Sequence, residues 1–427
     1  MNKNFKWCAL QPLTGGFYLG AEEAVGHSAE FIISFPGFNS VTVNDGKIIR
    51  AGNEYHLIKY LEKKNRMVPY YQFNRKPFQL DKDLDPKILK DGNEVSHPDY
   101  SNMDLVVAVP VCSGLSTATY GATAEVKEER NANMLWLANY TLNVIKPKVY
   151  IFENAPNLTC TAGQSVRADL ESIADKAKYD VEYYKTDTMY HDNCQRRPRT
   201  FVFFFKKDLA HPGVPILGYE NKNISAEELL SRIPANATQQ EPMPISDTAR
   251  VLLDFAHYKY GNDWRSHLES VAILDDLVKY HLLDEWRDFV NKSDYPDKIK
   301  AKVNRYVPHI YEKLSNNQGF WRTSPVVVKH NGMPTVMHKN IKTTMHYKED
   351  RAYTVREWLT AMGMPFDFEM QGSNVNNYFK QMGQNVPVRT AKFIVSEAIR
   401  VIENWDTVDR DEVNVKFFDN IKHNKGN

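Results

Sequence analysis

A thiol, a carboxyl group and two guanidinium groups occupy comparable places in three successive apolar runs. Cys112 follows "LVVAV" (105–109) within "PVCSGLS", Glu153 nears the end of "KVYIFEN" (148–154), and Gln195, Arg197 and Arg199 lie in "CQRRPR", just ahead of "TFVFFF" (200–205). Buried strands that end on one edge of an open α/β sheet place such residues at the crevice where ligands bind. Taken singly, each has an ordinary reading: the cysteine as packing filler, Glu153 as a solvated strand end, the arginines as a phosphate or surface patch. Converging on one edge, they suit covalent chemistry. A thiolate can attack, a carboxylic acid can supply a proton or hydrogen bond, and guanidinium groups can hold an oxygen and favour the thiolate.

The surrounding pattern provides that edge. From 1 to 207 strands alternate with helices: "KWCALQPL", then Gly15-Gly16 and the helix "FYLGAEEAVG", the strand "AEFIISF", the helix "YHLIKYLEKKN", the strands "VPYYQF" and "DLVVAVPV", and so on to "RTFVFFFKK". Continuous apolar strands between helices predict an α/β fold, a doubly wound parallel sheet covered on both faces. From 208 the chain becomes Pro-rich and polar, then mainly helical, which sets off 208–350 as a smaller second region. The segment 351–427 is helical again. Within the second region, 321–351 is basic and irregular, with Arg322, Lys329, Lys339, Lys342, Lys348 and Arg351 against Glu349 and Asp350.

Composition excludes more than it selects. The 427 residues carry 54 Lys and Arg against 53 Asp and Glu, so a nucleic acid would be met by a local patch rather than a global field. The four cysteines form no CxxC and no zinc-ligand spacing, and no metal site is expected. There is no apolar run of membrane-spanning length and no signal-peptide core, so the expected setting is the cytoplasm, with no membrane partner.

In order and context these motifs resemble the DNA (cytosine-5) methyltransferases, of the kind found in phages and prokaryotes. "PVCSGLS" is similar to that family's Pro-Cys motif, "ENA" to its Glu-Asn-Val motif and "QRRPR" to its Gln-x-Arg-x-Arg motif. "LTGGFYLGAEEAVGH" (13–27) resembles the opening cofactor loop and helix, "RAYTVREWLTAMGMP" (351–365) the segment after target recognition, and "QMGQNVPVRTAKFIVSEAI" (381–399) the final motif. The resemblance implies a Rossmann-like class I methyltransferase sheet, with 1–207 as catalytic domain, 208–350 as target-recognition region and 351–427 returning to the catalytic domain. It implies S-adenosylmethionine as methyl donor, held by Gly15, Gly16, Phe17, Pro110, Asn385 and Val386. Double-stranded DNA would be the partner, with a flipped target base, contacts from Ser113, Gln195, Lys339 and Lys342, and a monomeric enzyme. Cys112 would add to cytosine C6, making C5 an enamine-like carbon that can take a methyl group. Glu153 would act at N3, and Arg197 and Arg199 would hold the O2 side.

Three places depart from the family pattern, among them the final motif, where Gln384 and Val386 flank Asn385 in place of the usual Gly-Asn-Ser-Val. The opening loop, usually Phe-x-Gly-x-Gly-Gly, is Gln11-Pro12-Leu13-Thr14-Gly15-Gly16, and the second strand, "FIISFPGF", ends without an acid for the ribose. These departures keep two alternatives open: a weakly active or inactive homologue that binds DNA or protein, and an RNA cytosine methyltransferase. The thiol assignment has a direct test. Cys112→Ser should abolish methyl transfer, and the wild-type protein should form a covalent adduct with DNA carrying 5-fluorocytosine; full activity in the serine variant rules Cys112 out as the nucleophile.

Overall fold

The structure, a computed structural model, describes residues 5–77, 84–111, 114–115, 124–207, 224–270, 272–316, 326–327, 332–335 and 342–403. Cys112, Ser113 and Lys339 lie outside the described residues. The chain divides into two compact units, Met1–Asn223 with Met362–Asn427, and Ile224–Ala361. The segment 351–361 thus groups with the second unit, whereas the sequence motifs placed it with the returning C-terminal segment.

The first unit is built on a nine-stranded sheet. Its strands are β1 (Trp7–Leu10), β2 (Ile32–Ser34), β5 (Tyr70–Phe73), β6 (Ile88–Lys90), β7 (Asn93–Val95), β8 (Leu105–Ala108), β9 (Val149–Asn154), β10 (Tyr179–Asp187) and β12 (Pro198–Lys206), in the spatial order β10-β12-β9-β8-β1-β2-β5-β6-β7. A hairpin of β3 (Val41–Asn44) and β4 (Lys47–Ala51) stands apart, and β11 (Gln195–Arg196) precedes β12. The β9-β8-β1-β2-β5 core is parallel, as expected from its continuous apolar runs. The sheet as a whole is mixed: β12 runs antiparallel to both β9 and β10, and β6 and β7 add an antiparallel edge. A run such as "FVFFF" reports burial on both faces, not direction, so its sense is invisible in composition.

Alternate residues of these strands face two layers. Leu10, Ile33, Phe35, Phe73, Val106, Phe152 and Phe204 pack with side chains of α3 (Ala124–Tyr140) and α4 (Gln164–Ala177). On the opposite face Trp7 meets Tyr18 and Phe201 meets Phe17, both from α1 (Gly16–Val25). Helix α1 is in turn covered by α12 (Val388–Glu403), which follows α11 (Val375–Gln384). Among the described residues no helix is long and apolar enough to cross a membrane.

The second unit has its own core. Val251, Leu252 and Phe255 of α6 (Asp247–Tyr260), Leu274 and Leu277 of α7 (Ile273–Lys279), Trp286 of α8 (Leu283–Lys292) and Val303, Val307 and Ile310 of α9 (Asp297–Ser315) enclose Trp264. Helix α5 (Ala226–Leu230) and α10 (Val355–Ala361) belong to the same unit.

The approach of α1 to α12 is set by glycine. A methyl group at Gly20 would stand 2.4 Å from the Val388 carbonyl oxygen and 2.5 Å from the Ala391 Cβ. In an ordinary helix interior Gly→Ala gains about 0.5–1 kcal/mol. Here Gly20→Ala should cost about 1–3 kcal/mol from overpacking. A thermal melt of the variant checks the sign; a raised melting temperature contradicts the close approach.

Candidate active site

The C-terminal ends of β1, β8 and β9 lie along one edge of the sheet, with Glu153 at the end of β9. Strand β8 pairs with β9 up to Ala108 and Phe152, so the chain leaving β8 through Val109, Pro110 and Val111 runs out beside Glu153. Pro110 is buried. Val111 and Leu115 each meet an asparagine side chain. The Val111 N–H donates to Asn133 Oδ1 of α3 (2.8 Å), and the Leu115 carbonyl accepts from Asn157 Nδ2 (2.9 Å). Neither asparagine stands out in the sequence, because each matters only through the backbone group that it meets.

Glu153 is 2% exposed. Strand β12 begins alongside it, with Phe201 opposite Glu153 and Thr200 opposite Asn154, which brings Arg199 to the carboxyl group. Arg199 Nε stands 2.6 Å from Glu153 Oε1 as an ion pair, without the alignment of a full hydrogen bond. Burial raises the Glu153 pKa above its ordinary value of 4.5, and Arg199 and then Arg197 oppose the rise. The net direction is upward, so the acid form persists to higher pH than in a free glutamate. Stability gained from the protonated form is complete below 4.5 and is lost as pH rises through the raised value.

Arg197 takes a different direction. It is 1% exposed, and its Nη2 donates to the carbonyls of Gly383 (2.8 Å) and Asn385 (2.7 Å). It thus binds the start of β12 to the returning C-terminal segment. Gln195 is fully buried, and neither its Oε1 nor its Nε2 has a hydrogen-bond partner among the described residues.

The second cluster surrounds the loop after β1. Gln11, Leu13 and Gly15 all have positive φ (48°, 53° and 102°). The Gly16 N–H donates to Asn385 Oδ1 (2.8 Å), and Asn385 Nδ2 meets the Met364 sulfur (3.3 Å). A side chain on Gly16 would collide with the Val386 carbonyl oxygen. Asn385 and Val386 therefore meet Gly16 directly, with Asn385 spent on the loop backbone, while Gly15 packs on Leu57. Phe17, 1% exposed, sets its ring edge-on to Phe201 with centroids 5.9 Å apart. Thr14 Oγ1 donates to the Gln381 carbonyl (3.1 Å). His56 links the same elements: its Nδ1 accepts from the Gln371 N–H (2.9 Å), which leaves Nε2 as the donor to Gln381 Oε1 (2.8 Å). Burial lowers the His56 pKa to about 4, so the ring is neutral.

Beside this loop lies a cavity of about 550 Å³, lined by Phe38, Ser40, Arg50, Asn53, Lys380, Gln381 and Gln384 among others, with no acidic residue in its wall. Gln384 faces it directly, next to the buried Asn385. Glu54, which precedes α2 (Tyr55–Lys63), accepts from Ser34 Oγ at the end of β2 (2.6 Å) but does not line the cavity.

In the second unit, Lys342 is half-buried and its carbonyl accepts from the Ser246 N–H (2.9 Å). Other charges of the basic stretch are paired within the unit: Lys348 with Glu227, and Arg351 with Glu349 and Glu357.

A family model, C-5 cytosine-specific DNA methylase, matches residues 50–400. The chain belongs to that family. It is a DNA (cytosine-5) methyltransferase. The chain is 23% identical over 290 residues to the Type II methyltransferase M.NgoFVII of Neisseria gonorrhoeae, covering 64% of each protein. It is 21% identical over 367 residues to M1.HphI of Haemophilus parahaemolyticus, covering 83% of each. In structure it is similar to a DNA modification methyltransferase described as putative and encoded within an E. coli prophage (TM-score 0.54, 14% identity, 93% of this chain and 99% of that one). It is also similar to the Entamoeba histolytica methyltransferase EhMeth (TM-score 0.51, 10% identity, 94% and 100%). These likenesses fit the doubly wound methyltransferase sheet.

The carboxyl group of this methyltransferase can be tested apart from DNA binding. Glu153→Gln keeps the shape but removes the acid, so transfer should fall by about two to four orders of magnitude while DNA affinity survives. The wild-type rate should decline as pH rises through the elevated Glu153 pKa, and the residual rate of the variant should lack that limb. Steady-state rates against pH, with a binding assay alongside, check both.

Proposed function

We propose that this methyltransferase takes its methyl group from S-adenosylmethionine and acts on a cytosine flipped out of double-stranded DNA, with Cys112 as nucleophile, Glu153 as acid at N3, and Arg197 and Arg199 shaping the pocket. The observation that carries the reading is Glu153: a carboxyl 2% exposed, raised in pKa and paired at 2.6 Å with Arg199, on the sheet edge toward which the Cys112 segment runs. A solvated strand-end glutamate has none of these properties. Thiolate addition at C6 moves the ring electrons to C5. Glu153 balances the charge at N3 as C5 takes the methyl group, and loss of the C5 proton with β-elimination frees the thiolate.

The residues present fit the donor. Bound there, it supplies an electrophilic methyl group. The cavity volume is in the range of cofactor sites. Its basic residues, Arg50 and Lys380, suit a carboxylate, Ser40 and Asn53 suit ribose hydroxyls, and Phe38 suits a purine face. The Gln11 amide, fully buried and with no partner among the described residues, offers a donor and an acceptor at the Gly15-Gly16 loop. The cavity wall is bonded to that loop through Thr14 and Gln381. The Type II names of the bacterial relatives support a role within restriction–modification. We assign Lys339 and Lys342 to the DNA contact, the unit Ile224–Ala361 to target recognition, and a monomer to the active form.

Incubation with labelled S-adenosylmethionine and duplex DNA, followed by digestion, should yield 5-methylcytosine. Label in RNA alone, or none with DNA still bound, supports the RNA-directed or binding-module alternative instead. Replacing Lys339 and Lys342 with Ala should lower the salt slope of DNA binding by about two units if both meet phosphates. An unchanged slope places them elsewhere.

A further inference from the structure

We infer that the exposed face of α9 is a phosphate-contacting surface for DNA, a cationic row of Lys298, Lys302 and Arg305 extended by His309 and continuous with Lys342. The inference rests on the proposal that the unit Ile224–Ala361 meets the duplex.

Lys298, Lys302, Arg305 and His309 follow one another at intervals of a single helical turn, so they share one side of α9. All four are exposed. Val303, Val307 and Ile310 occupy the opposite side and are buried in the core of the unit. Packing thus fixes how the helix is turned, and the basic side is the one left to solvent. From Lys298 to His309 the row runs about 16 Å, the axial rise of about five base steps of duplex.

The charges of the row are largely unspent. Among the described residues neither Lys298 nor Arg305 has an ion-pair or hydrogen-bond partner. Lys302 donates to Thr248 Oγ1 (2.7 Å), a neutral partner that leaves its charge uncompensated. The acids nearby stand at the ends: Asp297 opens the helix, Asp247 shares a small cavity with Lys298 and Lys302, and Glu312 lies 3.6 Å from His309. Exposed lysines on other helices of the unit are paired, Lys259 with Glu285 (2.7 Å) and Lys279 with Glu269. The exposed large apolar side chains of α9, Tyr311 and Leu314, fall outside the row, so its face offers a protein partner little apolar area.

The first turn of α6 joins the row to Lys342. Ser246, the N-cap, donates its N–H to the Lys342 carbonyl (2.9 Å), and Thr248, two residues on, accepts from Lys302. Two segments far apart in sequence therefore present their cations around one helix end. A row of flexible cations on a rigid helix suits the phosphate backbone, which carries a charge at every nucleotide and no sequence information.

The salt dependence of duplex binding by the full chain, read by fluorescence anisotropy, tests this. Replacing Lys298, Lys302 and Arg305 together with Ala should lower the slope of log affinity against log salt by about two to three units. Binding at about 0.1 M salt should weaken by about tenfold or more, equally on duplexes of unrelated sequence. Alanine favours the helix, so α9 is kept. Exchanging the cations in kind (Lys298→Arg, Lys302→Arg and Arg305→Lys) should hold the slope within about one unit of wild type. Lys259→Ala with Lys279→Ala removes paired cations from α6 and α7 and should do the same. Circular dichroism and melting curves establish that each variant is folded; if the alanine variant is not, Gln at the same three positions takes its place. A slope that the alanine variant leaves unchanged overturns the inference, as does an equal fall in the paired-lysine control. If Lys339→Ala with Lys342→Ala lowers the slope while the row does not, the DNA reading of the unit stands and the inference alone falls. A wild-type protein without salt-dependent affinity for duplex overturns both.

Discussion

The Gly16 peptide N–H meets the Asn385 side chain across 369 positions of sequence, and most of the active edge depends on that meeting. The first turn of a helix leaves N–H groups without intrahelical partners, and α1 begins at Gly16 with no side-chain cap of its own. Asn385 supplies the missing acceptor. For its amide to reach, α12 must lie against α1, which is why a side chain at Gly16 would strike the Val386 carbonyl and one at Gly20 the Val388 carbonyl. Arg197 fastens the same point from the other side by binding the Gly383 and Asn385 carbonyls. The loop after β1, the start of β12 and the C-terminal segment are thus three parts of one joint. The proposed donor and base-binding residues sit on either side of it.

The electrostatics of the edge have a shared logic. Glu153 and Glu54 are both buried carboxyl groups with raised pKa values, yet their surroundings differ. Glu153 has a guanidinium partner at 2.6 Å, which opposes the rise that burial causes. Glu54 has hydroxyl donors on both oxygens, which suits a fixed anchor. Burial acts alike on the two carboxyl groups; their partners set them apart.

How much of this was legible in the sequence follows from what each feature depends on. The strands β1, β8, β9 and β12 are uninterrupted apolar runs, and the helices between them are amphipathic, so the layered sheet and the lip that carries Glu153 and Arg199 could be laid out from the pattern alone. Strand β10 was missed because "YDVEYYKTD" is half-exposed and reads as polar, although it pairs with β12 along nine residues. The β3–β4 hairpin left a signal that went unused. Asp45 and Gly46 both have positive φ, the requirement of a tight hairpin turn, and Asp-Gly is its usual sequence. Glu54 could not be recognised at all. It stands 20 residues beyond Ser34, and only the folded chain brings it to the end of β2. Arg197 stands out in the sequence through its motif, but its bond to the C-terminal segment does not.

The joint between α1 and α12 also imposes a timetable on biosynthesis. At about 5–20 residues per second, Asn385 leaves the ribosome roughly 20–70 s after Gly16. Throughout that interval the nascent sheet can collapse, but its first helix has no lid and its loop no clamp. The joint therefore stays open until α12 emerges and docks against α1. A nascent chain that has not yet reached Asn385 carries the sheet and α1 without the contact that joins them to α12.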